Sequence, residues 1–282
     1  MPEGHTIHRA ALDQRPHFAG KRVKVTAPDG RNAADAEHLD GRTLKAIEPV
    51  GKHLFYHFGG KSGGGPASVH VHLALFGKLR LHAKAEPPEP KGAVRMRFTT
   101  RQAALDLHGC RTVELLDDEA IAELKDRLGP DPLDPKADAE RVWTRISKSK
   151  APIAGLLMDQ AVVSGLGNIF RAEILFRQRI DPHRLGKELT REQFDRLWAD
   201  AVLLLNVGVK QDRIITVTKQ FAKERYGKTF SKLARRERWY AYKQPACPFT
   251  GGPIETYELG GRTVYWSPRW QTNAEDGFIS GS

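Results

Sequence analysis

An α+β chain in two parts is predicted from three observations. Alternating strands crowd residues 1–116 behind one leading helix, helical periodicity dominates from about residue 140, and the charge changes sign between them. The residues Gly4-His5-Thr6-Ile7-His8-Arg9-Ala10-Ala11-Leu12 read as the leading helix. Strands are then expected over Lys21–Val25, Thr43–Ile47, His53–Phe58, Val69–Leu73, Lys78–His82, Val94–Phe98, Ala104–Leu107 and Thr112–Leu115, where apolar and polar residues alternate at least in part. Gly59-Gly60 and Gly63-Gly64-Gly65-Pro66 punctuate them as loops, and Ala74-Leu75-Phe76-Gly77 breaks the strand before it. Residues 1–116 are therefore read as a β-sandwich or barrel.

Residues 117–140 read as an acidic linker with one short helix at Glu119–Arg127. From Glu114 to Glu140 there are ten acidic and three basic residues, with Gly129-Pro130, Pro132 and Pro135 interspersed. Helices follow at Glu140–Ser147, Ile153–Gln160, Asn168–Gln178 and Arg191–Val207. From Lys210 to Lys243 eleven basic residues face three acidic ones, which reads as a solvated face or a phosphate-binding one. Pro152 suits the first position of a helix. Gly165 and Gly167 permit a tight turn and close approach of a ligand. Asn168 is expected as the N-cap of the next helix, with free amides there forming an anion site.

The 282 residues carry a net charge of +11 and a pI of about 9.7. That balance favours a polyanionic partner, nucleic acid first and an anionic membrane surface second. No apolar run approaches the ~20 residues of a membrane span, and no signal-peptide core is read. Two cysteines, Cys110 and Cys247, are too few for a disulfide framework. A cytoplasmic protein with reduced thiols is expected.

Met1-Pro2-Glu3 points to chemistry. An initiator Met before a small residue is ordinarily removed, which leaves Pro2 as a secondary amine. An α-amino group has a pKa of about 7.7–8.0 against about 10.4 for lysine, so roughly a tenth is free base at pH 7. Such an amine can attack an electrophilic carbon and form a Schiff base. Glu3 is placed to move a proton beside it. The partial positive charge of the following helix start favours the free amine.

Six stretches in order carry a resemblance. They are Pro2-Glu3-Gly4, Gly51-Lys52-His53-Leu54, His72-Leu73-Ala74-Leu75-Phe76-Gly77, Leu128-Gly129-Pro130-Asp131-Pro132-Leu133, Asp159 through Ile169, and Gly261-Arg262 with Tyr265-Trp266. The chain resembles the formamidopyrimidine-DNA glycosylase and endonuclease VIII family of base-excision repair enzymes, over nearly its whole length. The resemblance implies an N-terminal sandwich, a helix–two-turn–helix domain over residues 141–235, a β-hairpin finger over 236–272, and a short polar tail over 273–282, expected disordered. It implies Pro2 as the nucleophile on C1′ of the damaged nucleotide and Glu3 as the general acid/base. Lys52 would be the proton donor in β-elimination, and Arg262 the finger arginine that grips a phosphate and assists δ-elimination. His72, Arg127, Lys150 and Asn168 would contact DNA phosphates. Leu75 and Phe76 would fill the void left by a flipped base, a task suited to apolar wedges.

The sequence departs from the family twice. Most members hold a zinc with two Cys pairs in the finger. Here the four positions read Cys247, Thr250, Ser267 and Trp270, which are not a four-coordinate ligand set. No structural zinc and no other cofactor is expected; Phe249, Tyr265, Trp266 and Trp270 are expected to supply an aromatic core instead. Asp106 through Arg111 also lacks the Arg-Arg-Phe stretch of members that prefer oxidised purines, and Ala74-Leu75-Phe76 looks more like the endonuclease VIII loop. Oxidised pyrimidines are the expected bases, and the pattern is most like the actinobacterial branch. The expected partner is duplex DNA containing oxidised or abasic sites, bound by a nucleoid-associated monomer with no membrane contact. A purine-specific enzyme of the same family would differ only in base choice, and two further alternatives stand beside this reading. One is a non-catalytic protein of the same fold that binds damaged or abasic DNA. The other, a helix–turn–helix regulator, explains the charge but not Pro2-Glu3 or Lys52.

Overall fold

Alternation along the N-terminal strands sorts their side chains onto two faces, and the apolar faces of two sheets close on each other. The computed structural model describes residues 2–59, 67–272 and 277–281; the expected loop at 63–66 and the residue Gly60 lie outside them. The chain divides into two units, Met1–Arg127 and Leu128–Ser282. The first contains α1 (Gly4–Phe18), β1 (Lys21–Arg22), β2 (Lys24–Thr26), α2 (Ala33–Leu39), β3 (Thr43–Val50), β4 (His53–Phe58), β5 (Ser68–His72), β6 (Lys78–His82), β7 (Val94–Thr99), β8 (Ala104–His108), β9 (Thr112–Leu116) and α3 (Asp118–Asp126). One sheet runs β1-β3-β4-β5-β9 and the other β2-β7-β8-β6, with antiparallel pairing.

The core of this unit is built from Leu54, Tyr56, Val69 and Val71 of the first sheet with Met96, Phe98, Leu105 and Leu107 of the second. Each such side chain, fully buried, stabilises by about 1.5–3 kcal/mol. The rings of Tyr56 and Phe98 meet edge to face at 5.0 Å. α1 is tied to the first sheet by Tyr56, whose hydroxyl donates to Gln14 Oε1 at 2.8 Å, and by Arg15, which donates to the Ile47 carbonyl at 3.0 Å.

Three features differ from expectation here. The strand expected over 21–25 is divided at Val23, with β1 pairing in one sheet and β2 in the other. α1 continues past Leu12 because Phe18 supplies a fully buried anchor, and Pro16 falls in the last turn. α2 is too short to show a helical period.

The second unit contains α4 (Ala139–Ser147), α5 (Ile153–Leu156), α6 (Asn168–Arg177), α7 (Arg191–Gln211), α8 (Lys219–Tyr226), β10 (Glu255–Leu259), β11 (Arg262–Trp266) and α9 (Pro268–Gln271). Thr190 and Gln193 form a reciprocal cap at the start of α7. Phe170, Leu175, Phe194, Leu205 and Val264 share one apolar core. Within it Arg177, fully buried, holds Asp200 with two parallel bonds, Nε to Oδ2 at 2.8 Å and Nη2 to Oδ1 at 2.7 Å.

The helix expected over 153–160 is a correction: α5 makes one turn and stops. Side chains beyond it take over the backbone groups. Asp159 accepts from Ala161 N at 2.9 Å. Gln160 donates to the carbonyls of Met158 (3.0 Å) and Leu166 (3.1 Å) and accepts from Gly165 N at 3.0 Å. Two turns thus lead into α6, held by one amide side chain. Gly129 and Pro130 pack on these turns, with Gly129 N donating to Gln160 O at 2.8 Å and Ser164 N to Pro130 O at 3.1 Å.

The tail is a second correction. Residues 273–276 and 282 lie outside the described set, but 277–281 are ordered by contacts. Ile279 N donates to Arg177 O at 2.9 Å, Arg177 Nη2 donates to Gly281 O at 2.8 Å, and Ile279 packs on an apolar cluster. α8 was not expected either, although Thr218 caps it by accepting from Phe221 N at 3.1 Å.

Candidate functional site

In the first unit, Pro2 and Glu3 stand directly before α1. Glu3 occupies the N-cap position and is 0% exposed, while Pro2 is half-buried. A carboxyl group beside the second residue, at the positive end of a fifteen-residue helix, can take up and release a proton away from bulk water. Nearby, His5 is pushed down to about 4 by burial first, then by the positive charge at the chain terminus and by His8. It is neutral at pH 7.

Lys52 sits in the turn between β3 and β4, and His72 ends β5. Strand register sets His53 opposite His72, with their rings 5.1 Å apart. The Lys52 charge acts on both rings. Lys52, His53 and His72 therefore form one corner of the sheet. Burial, then His70, Lys52 and Arg111, hold His72 below the ordinary histidine range. It is a neutral hydrogen-bonding group at pH 7.

Leu75 and Phe76 project from the β5–β6 loop, 47% and 83% exposed. Ala74 adopts φ +53° there, and a Cβ on Gly77 would meet the Leu73 carbonyl oxygen at 2.5 Å. The tight turn presents two large apolar side chains to solvent, at a cost no fold-stabilising role explains. Arg127 follows α3 as its C-cap and is exposed.

In the second unit, Lys150 is exposed in the segment between α4 and α5. Asn168 corrects the sequence reading. Gly167 is the N-cap, and Asn168 is the first residue of α6, 6% exposed. Its side chain turns to the hairpin: Nδ2 donates to the Thr263 carbonyl at 3.1 Å, and Oδ1 accepts from Arg171. Arg171 also donates to Thr263 O, at 3.0 Å. The hairpin strand offers an acceptor that a helix start does not, so the amide is drawn inward. Arg262, the first residue of β11, stands next to that carbonyl. Gly260 and Gly261, at φ +56° and +69°, make the two-residue turn that carries it.

Aromatic packing fills the finger, in part as expected. Phe249 and Trp270 stack at 4.6 Å, joined by Phe176 and Tyr240. The Arg179 guanidinium lies 4.4 Å from the Trp270 ring centre. Tyr265 and Trp266 instead pack on Tyr242 and His183. They belong to the neighbouring strand, which faces another part of the core.

Sequence reasoning passed over His53, His70 and Arg171. The signal for the first two was present, because His53, Phe55 and His57 alternate on one strand and His70 and His72 on the next. Arg171 carried none, as a helix arginine is ordinarily solvated.

A family model for the formamidopyrimidine-DNA glycosylase N-terminal domain matches residues 1–115, and one for the formamidopyrimidine-DNA glycosylase H2TH domain matches residues 128–220. Endonuclease 8 1 of Mycobacterium tuberculosis is 44% identical over 277 residues, spanning 96% of this chain and 100% of the relative. Endonuclease 8 of Pectobacterium carotovorum is 31% identical over 280 residues, with coverage of 96% and 100%. A solved complex of Lactococcus lactis Fpg with DNA containing an abasic site shares the fold, with a TM-score of 0.76 at 22% identity over 96% of this chain and 100% of that one. The chain belongs to the formamidopyrimidine-DNA glycosylase and endonuclease VIII family, in its endonuclease VIII-like branch.

Proposed function

We propose that the chain is a base-excision repair DNA glycosylase with abasic-site lyase activity, acting on duplex DNA that contains an oxidised base. The observation that carries the reading is the buried Glu3 carboxyl next to Pro2 at the start of α1. With Met1 removed, the Pro2 amine attacks C1′ of the flipped nucleotide. The C1′–N bond breaks and the base leaves with its electron pair, taking up the proton that the Pro2 nitrogen loses. The nitrogen lone pair then opens the sugar ring, giving a Schiff base between Pro2 and C1′. Glu3 protonates the ring oxygen and returns as a base in later steps. β-Elimination breaks the bond to the 3′ phosphate, with Lys52 as proton donor. Arg262 holds a phosphate and promotes the further δ-elimination.

His72, Arg127 and Lys150 contact phosphates through their side chains and Asn168 through its backbone N–H in the first turn of α6, while its inward side chain steadies the strand that begins with Arg262. Leu75 and Phe76 enter the base stack as the damaged nucleotide leaves it. Loss of the Arg-Arg-Phe stretch favours oxidised pyrimidines. A panel of duplexes tests this, each carrying one lesion. The expected order of base release is 5-hydroxyuracil and thymine glycol ahead of an oxidised purine by at least tenfold. The reverse order would assign a purine enzyme of the same family, and binding without base release or nicking would assign the non-catalytic alternative.

A further inference from the structure

The four finger positions read for metal ligands carry groups that are engaged elsewhere. Cys247 is buried and its backbone closes a turn, with N donating to Gly252 O at 2.8 Å and O accepting from Gly251 N at 3.0 Å. Thr250 Oγ1 accepts from Gly252 N at 3.3 Å, and Ser267 is fully buried. Trp270 has no ligand atom, and its indole N–H donates to the Phe176 carbonyl at 2.9 Å. These residues do not fit a metal, and among the described residues no group of three or more His, Cys, Asp or Glu could hold one.

The finger is attached instead at the end of α6. A helix end leaves carbonyls in need of donors, and here finger and tail supply them. Phe176 O takes the Trp270 indole, Arg177 O takes Ile279 N at 2.9 Å, and Ile180 O takes Gln271 Nε2 at 2.8 Å. Arg179 joins the two partners. Its guanidinium lies 4.4 Å from the Trp270 ring centre, its Nε donates to Trp270 O at 3.0 Å, and its Nη1 donates to Gly277 O at 3.3 Å. Arg177 Nη2 donates to Gly281 O at 2.8 Å, so the segment 277–281 is held at both ends. Between those ends Ile279 packs in the same apolar cluster as Phe176, Cys247 and Trp270, and the Arg196 guanidinium of α7 lies 4.8 Å from the Phe278 ring centre.

We propose that residues 277–281 are a strap that fastens the finger to α6, with carbonyl bonds from Arg177 and Arg179 and the Ile279 side chain in place of ligand bonds to a metal. Arg179 is the joint. One guanidinium holds the Trp270 carbonyl and the strap together, and losing the strap returns rotamer freedom to that side chain. Ile279 supplies the apolar burial that keeps the strap down. The hairpin strand that begins with Arg262 runs directly into the short helix carrying Trp270, so the strap restrains the strand that presents Arg262. The fastening stands apart from the catalytic reading of Pro2.

Hydrogen exchange tests it, reading the Trp270 indole N–H and the β10–β11 amides against the amides of α4 and of the N-terminal sheets. Ile279→Asp in the full chain, and a chain ending at Asp276, are expected to speed exchange at the finger by about 10-fold or more, the effect of losing one buried aliphatic side chain. Exchange in α4 and in the N-terminal sheets is expected to stay within about twofold of native, because the loss is local. Ile279→Leu keeps the anchor and is expected to exchange as the native protein does. Ile279→Ala, a milder change than Asp, gives the same reading if either of the first two variants fails to fold. Treatment of the native protein with EDTA is expected to leave finger exchange unaltered. Native exchange rates at the finger in the Ile279→Asp, Ile279→Ala and shortened chains would overturn the strap. Equal acceleration in α4 would do the same, since it would make the segment a general stabiliser. Faster finger exchange in EDTA would return the fastening to a metal and overturn the proposal as well.

Discussion

His72 and Arg127 illustrate how two residues of one expected role differ physically. His72 is neutral at pH 7 because burial and its cationic neighbours hold its pKa down, whereas Arg127 is an exposed permanent charge. A phosphate contact from Arg127 releases a condensed counterion, and one from His72 does not. Arg127→Ala is therefore expected to weaken DNA binding and to reduce the slope of log affinity against log salt by about 0.9. His72→Ala is expected to weaken binding with the slope unchanged. Titrations at four salt concentrations check both, and equal slopes for the two variants would contradict the assignment. At this scale Pro2, Glu3, Lys52 and Arg262 stood out in the sequence by type and order, and the structure sets Pro2 and Glu3 before α1, Lys52 in the β3–β4 turn and Arg262 at the start of β11. Asn168 was legible as a position but not in its orientation, since Thr263 is distant in sequence and the bond between them exists only after the hairpin docks on α6.

Among the elements, α6 carries the most varied set of attachments. Asn168 and Arg171 hold β11, Glu173 anchors the approach to the finger, and Arg177 holds α7 and the tail. Glu173 accepts from the backbone N–H groups of Tyr240, Ala241 and Tyr242 at 2.7–2.8 Å and from the Thr216 hydroxyl at 2.5 Å. Burial still pushes its pKa up against these four donors. Breaking a buried ion pair on one side leaves the other charge uncompensated, at a cost of about 3–5 kcal/mol. Asp200→Ala is expected to destabilise the second unit by that amount in urea unfolding, because Arg177 has no exposed surface. A change below 1 kcal/mol would mean that the Thr216 and Gly281 carbonyls suffice for Arg177. The Gly-Pro stretch before this domain is as constrained: a Cβ on Gly129 would lie 2.3 Å from the Val162 carbonyl. Gly129→Ala is expected to shift the two turns and lower the thermal midpoint. The strands were readable because their period is short and local. α5 was overread because its termination depends on the Gln160 side chain bridging two turns, which a hydrophobic pattern does not encode.

For the whole molecule, the two units should respond differently to acid. His53, at about 3, and His72 lie below the ordinary histidine range, so below about pH 6.5 the unfolded chain takes up protons that the folded one refuses. Stability from these groups is present at neutral pH and is lost as pH falls. Glu48 is held at about 2 by its bond to His57, against burial, with Lys125 adding to the same effect. Asp106 is also held down, by its pair with Arg97 at 2.5 and 2.9 Å, although burial opposes it. Their contribution is full above about pH 4.5 and disappears as pH falls through the folded values. All five tryptophans lie in the second unit. Between pH 7 and 4, far-UV circular dichroism during urea unfolding is expected to show an earlier transition while tryptophan fluorescence moves less; coincident shifts would contradict this. At this scale the α+β class and family were legible from six ordered motifs. The strap at 277–281 was not, because Gly281 meets Arg177 across 104 residues of sequence. The central claim is the Schiff base on Pro2, and borohydride trapping on an abasic-site duplex, with the cross-link mapped by mass, tests it most directly. The account predicts a covalent complex at residue 2 in protein that begins at Pro2, and its loss when Met1 is retained. Binding without a trapped complex, or a cross-link at Lys52, would contradict it.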